Sequence, residues 1–179
     1  MERVPSPDPV TEAAAYQRHL VGLVGDEDPA DVQATTADAW RELIREAGAR
    51  IAERPEADEW SVLECLGHAT DAELVAASRY RWILAQDEPP LVGYDQDLWV
   101  DRLGHGQDDP DELLATFEAL RRANLALWAR SNEDERARVG VHSERGPESY
   151  ELTFTMIAGH DRFHLDQARR ALAAVMTAG

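Results

Sequence analysis

Apolar positions along the chain recur at intervals of three and four, the period of helices that pack through one face. From about Ala37 to Glu53, Trp40, Ile44, Ala47 and Ile51 follow one another at spacings of four, three and four. From about Val62 to Gln86 there are two stripes. One carries Leu63, Leu66, Thr70, Leu74 and Ala77; the other carries Cys65, His68, Ala72 and Val75, mostly small residues. A helix apolar on two sides belongs in the middle of its bundle. Leu113, Phe117, Leu120, Asn124 and Leu127 mark a further helix to about Arg130, and a last one runs from about Tyr150 to Thr177. Nothing alternates with period two for long, which argues against a sheet.

Helix starts are written into the chain. Asp-Pro occurs at Asp8-Pro9, Asp28-Pro29 and Asp109-Pro110. Asp is a good N-cap, and Pro fits the first helical position, where its missing N–H has no partner to lose. The first pair predicts a helix from about Pro9 to Val24 that stops at Gly25. The second predicts only a short turn, near Pro29 to Ala34, and the third opens the helix to Arg130. Ser61-Val62-Leu63-Glu64 reads as a capping box. Residues 87–108 and 131–148 read as long polar connections, with a turn of helix around Trp99. The expected fold is therefore all-α: a four-helix bundle over residues 35–179, preceded by an N-terminal extension, residues 1–34, with a short extra helix.

Composition narrows the function. At 179 residues with 44% apolar content, the chain suits one ordinary globular domain. Thirty-five acidic against 18 basic residues give a net charge of −17, which disfavours nucleic acid and anionic membrane surfaces as partners. There is no run of about 18 apolar residues and no apolar leader after Met1, so the expected location is the cytoplasm. Cys65 is the only cysteine, which excludes an internal disulfide and a Cys-only metal site. Lys is absent, so every basic residue is Arg.

Six histidines remain to be placed. His160 and His164 stand at i and i+4, on one face of the last helix. The stripe Thr153, Ile157, His160, His164, Gln167, Ala171 puts both on the bundle seam. Buried imidazoles need partners. A divalent metal answers that need; hydrogen bonds to carboxylates or to Asn124 answer it equally in kind. His68, on the small-residue side of a central helix, is the natural third ligand. Three His ligands leave a tetrahedral ion with an open position, as catalytic sites do.

Several of these segments resemble the DinB/YfiT-like superfamily. They are Trp60 to His68 with Asp71-Ala72-Glu73, Arg79 to Leu84 with Glu88-Pro89, Tyr94 to Trp99, Leu120 to Leu125, and Ala158 to Gln167. The resemblance runs from about residue 35 to 175. It implies a four-helix bundle holding one divalent ion (Zn, Ni or Fe) on His68, His160 and His164. It also implies enzymes of two kinds: S-transferases or isomerases that use a low-molecular-weight thiol such as mycothiol or bacillithiol, and metal-dependent hydrolases. A non-catalytic protein holding a metal or small ligand is the third reading. The expected partners are a small-molecule substrate and such a thiol, and a homodimer stays open.

Other residues carry weaker signals. Cys65, one turn before His68, reads as core packing rather than as a ligand or nucleophile. Glu64 and Asp71 could take the second N–H of His68, or be surface carboxylates. Asn124 and Gln167 could line a cavity, and Tyr94, Asp95, Asp97 and Trp99 could form a lid. His142 reads as a loop cap close to the site, while His19 and His105 read as surface residues.

Overall fold

The caps act where the chain places them in the computed structural model, which describes residues 7–8 and 10–177. Asp28 accepts the N–H of Ala30 and opens α2 (Pro29–Ala47). Ser61 and Glu64 close a reciprocal capping box on α3 (Val62–Ala85). Asp109 takes the N–H groups of Asp111 and Glu112 at the start of α5 (Pro110–Arg130). The last long helix, α7, spans Tyr150–Thr177. Before them stands α1 (Ala13–Val24), which Gly25 ends at φ +64°. Residues 1–6, read above for a leader, and Pro9, read as a first helical position, lie outside the described residues. Asp8 still gathers the N–H groups of Val10 and Thr11 ahead of α1.

Three expectations about the helices are corrected. The turn at Pro29 and the helix from Ala37 are one continuous α2, so the boundary drawn at residue 34 falls inside a helix. Thr35 and Thr36 do not break it, because each hydroxyl bonds back to the carbonyl of Val32. At its other end α2 stops at Gly48, φ +52°, and only a 3-10 turn, Gly48–Arg50, follows. The connection at 87–108 holds a full helix, α4 (Gln96–Leu103), capped by Asp95.

There is also a sheet. Strand β1 (Pro90–Leu91) runs parallel to β2 (Val139–His142), which pairs antiparallel with β3 (Gly146–Ser149). Strands of two to four residues are too short to show period-two patterning, so they left no signal in the chain. A short helix, α6 (Glu133–Arg136), precedes this hairpin.

The bundle proper is α2, α3, α5 and α7. Both α2 and α3 pack on α5 and on α7, so these two helices, consecutive among the four, lie across the bundle from each other. Two apolar clusters fill it. One gathers Trp40, Leu66, Phe117 and Ala168; the other gathers Tyr80, Trp128, Tyr150 and Phe154, with the Trp128 and Phe154 rings stacked at 4.0 Å. A buried polar layer separates them: Arg121 bonds Glu73 and Asp161, and Thr36 and Asn124 complete it. Helix α1 lies along α7 at Gly159, where an added Cβ would stand 2.0 Å from the backbone oxygen of Leu20. Glycine is what lets the two backbones meet there, one residue from His160.

Candidate metal centre

His68 comes from the first third of α3, and His160 and His164 from successive turns of α7. All three are buried, and one ligand nitrogen from each lies within 4.8 Å of the others. The Nε2 atoms of His68 and His160 are 2.9 Å apart. The Nδ1 atoms of both residues are buried without a hydrogen-bond partner among the described residues. His164 differs, since its Nδ1 faces Oε1 of Gln167 at 3.0 Å. Burial first, then the neighbouring imidazoles, push all three well below the usual histidine pKa. They are neutral near pH 7, the form in which imidazole offers a lone pair.

This donor set fits a divalent ion. Imidazole nitrogens bound at about 2.0–2.1 Å to one tetrahedral ion stand roughly 3–4 Å apart, and the triad is already gathered to that scale. The Trp60 ring stacks on His164 at 6.0 Å and lies 5.1 Å from His68, closing the apolar side. Cys65 points instead into the apolar cluster; it is fully buried, and burial drives its thiol far above the ordinary value.

Two cavities adjoin the triad. One, of about 510 Å³, is lined by His68 and His160 and runs to Arg79, His142 and Arg145. The other, of about 720 Å³, is lined by Trp60, His164 and Gln167. Asp8, Tyr16, Gln96 and Asp97 line both. Tyr94 and Asp95 border the first, with the Tyr94 ring against Trp99 at 4.4 Å, so the 94–99 segment does face the cavity.

Other residues are placed differently from the expectation. Glu64 is taken by Arg54 and its own helix cap, and Asp71 bonds His105, so neither meets His68. Asn124 bonds Glu73 and Arg81 and lines neither cavity. His105 is not a surface residue: its ring sits over Gly67, clamped between Asp71 and Asp108 at 2.8 and 2.7 Å. His19 is half-buried, edge-on to Phe163. His142 is buried on the first cavity, where its Nδ1 takes the N–H of Glu144. Burial, then Arg145 and Arg79, lower its pKa to about 4. Sequence reasoning missed Arg79 and Tyr16 as lining residues. Arg79 had a usable signal, because it continues the stripe His68, Ala72, Val75 by four residues.

Fold and site together define a class: an all-α bundle with three converging histidines beside a pair of cavities. The chain belongs to the DinB superfamily, whose family model matches residues 30–168. Its fold is similar to that of YfiT from Bacillus subtilis, described as a probable metal-dependent hydrolase with an unusual four-helix bundle topology. That match has a TM-score of 0.75 at 16% identity and covers 98% of this chain and 94% of the other. No curated protein sequence matches the chain. Among the described residues, no helix is long and apolar enough to cross a membrane.

Proposed function

We propose that the protein is a metal-dependent enzyme whose divalent ion is held by His68, His160 and His164, and that it transfers a low-molecular-weight thiol to an electrophilic small molecule. The observation that carries the reading is the convergence of three buried imidazoles on one point, two of them with no partner at Nε2 but each other among the described residues. When bound, the ion would lower the pKa of a thiol or a water, so that a nucleophile exists near neutral pH.

The protein supplies position. Gln167 orients His164 through Nδ1, leaving Nε2 for coordination. Trp60 packs its ring against His68 and His164. Two adjoining cavities, one reaching His68 and His160 and the other His164, give room beside the triad for a thiol and an electrophile, which supports a two-substrate reaction. Hydrolysis is the second reading, favoured by the description of YfiT, whose fold this chain shares.

The test is conjugation of monochlorobimane by protein purified without chelator. Activity should need metal and thiol together, proceed with mycothiol or bacillithiol faster than with glutathione, and vanish in His160→Ala. Equal rates for wild type and His160→Ala would end the transferase reading. Metal-dependent cleavage of an ester or amide, with no thiol used, would put hydrolysis in its place.

A further inference from the structure

Arg79 is 8% exposed and has no carboxylate within ion-pairing reach among the described residues. Its Nη2 donates to the carbonyl of Val92 at 2.7 Å and to Nε2 of His142 at 3.1 Å. Its Nε–H is buried, and among the described residues neither Nε–H nor Nη1 has an acceptor. The nearby carboxylate, Glu148, is already engaged by both Nε and Nη2 of Arg145 and by Gln17. A buried cation without a counter-charge is costly, and a protein of net charge −17 has many carboxylates that could have been placed beside it.

The surroundings say what is missing. Arg79 lines the same cavity as His68 and His160. On α3 the lining runs His68, Ala72, Val75, Arg79, at spacings of four, three and four, which is a single stripe. Met156 and Ile157 of α7 face it across the groove. Eleven residues of helix rise roughly 16 Å, which separates Arg79 from His68 along α3. The cavity thus has a cationic end, an apolar middle and a histidine end. Its acidic lining residues, Asp8, Asp95, Asp97 and Glu144, are all exposed, and Asp8 and Asp95 are spent on backbone caps.

We propose that Arg79 anchors the carboxylate of an elongated small molecule whose apolar stem lies along the α3–α7 groove and whose other end reaches the three histidines. One carboxylate oxygen accepts from the unpartnered Nε–H, while His142 and the Val92 carbonyl fix the guanidinium through Nη2. The claim about the far end rests on the metal-centre reading; the anion site at Arg79 does not.

The experiment uses chelator-treated protein, so its outcome is independent of the metal. The arginine Nε–H resonances are followed by NMR while hexanoate, hexanamide or inorganic phosphate is added, and the Arg79 signal is assigned by its absence in Arg79→Lys. Hexanoate should shift the Arg79 Nε–H downfield and saturate, and hexanamide should bind about ten-fold more weakly or not at all. Equal shifts with the acid and the amide, or no movement of this resonance with hexanoate, would overturn the proposal. So would tighter binding of phosphate than of hexanoate, which would make the site one for phosphoryl groups. The acid–amide comparison is made on wild type, so it does not depend on any variant folding.

Discussion

Two groups of buried polar side chains sit in one bundle and differ in whether they complete each other. Around Arg121 the charges alternate. Its guanidinium bonds Asp161 at 2.6 and 3.1 Å, Glu73 at 2.8 Å and the carbonyl of Gln33 at 2.9 Å, and Asn124 and Thr36 take further lone pairs. Burial opposes the Arg121 charge, but Asp161 and Glu73 outweigh it and raise its pKa above the ordinary arginine value. The histidine triad has no such complement. Three like groups face one another, burial suppresses their charge, and two Nδ1 atoms have no partner among the described residues. The Arg121 network ties helices together through paired charges, although Arg121 Nε and Gln33 Oε1 are buried without a partner among the described residues; the triad holds no ion pair among them.

The contrast can be broken most severely at Arg121. Arg121→Ala leaves Glu73 and Asp161 buried and unpaired, and should cost about 3–5 kcal/mol of stability. Urea unfolding followed by circular dichroism measures it. Chelation, which on the proposed reading empties the triad, should leave a cooperative helical fold with a lower melting temperature, because the apolar clusters do not depend on an ion. A variant as stable as wild type, or a random coil on chelation, would reverse the roles assigned to the two groups.

Cys65 offers a smaller test. Cys65→Ser puts a hydroxyl into an apolar cluster at a cost of about 1–3 kcal/mol and should leave metal uptake unchanged. Loss of uptake with stability intact would move Cys65 from the core to the site.

The smallest effect concerns His105. Burial lowers its pKa, but hydrogen bonds to Asp108 and Asp71 and their charges outweigh that, so the net direction is upward. Asp71 itself is pushed up by burial, against the His105 bond; the imidazolium nevertheless faces two carboxylates, one of them the more exposed Asp108. A raised histidine pKa means that the clamp's contribution is complete below the unfolded value and fades as pH rises through the folded one. The stability gap between wild type and His105→Gln should therefore be larger at about pH 5.5 than at about pH 9. A gap that widens with pH would show the clamp working through neutral imidazole.

What could be read from the chain follows from how far each signal reaches. Asp28, Ser61 and Asp109 cap helices through atoms two or three residues away, so their pattern is local and visible. His68, His160 and His164 stood out because polar residues interrupt apolar stripes. Arg121, Glu73 and Asp161 did not, since charged residues on a helix read as its solvent face until packing pairs them across 40 and 48 positions. His105 was misplaced for the same reason: its partner Asp71 is 34 residues away, and the room for its ring is made by Gly67. The strands escaped because their pairing, Pro90 with Val141, joins segments too short to carry a period.

Metal content decides the central claim. Protein purified without chelator, or stripped and titrated with Zn, Ni or Fe, is analysed for bound ion beside His164→Ala and His105→Ala. The account predicts about one ion per chain in wild type and in His105→Ala, and binding weakened by orders of magnitude in His164→Ala. Wild type that takes up none of the three metals, or a His164→Ala variant that holds them as tightly as wild type, would contradict it.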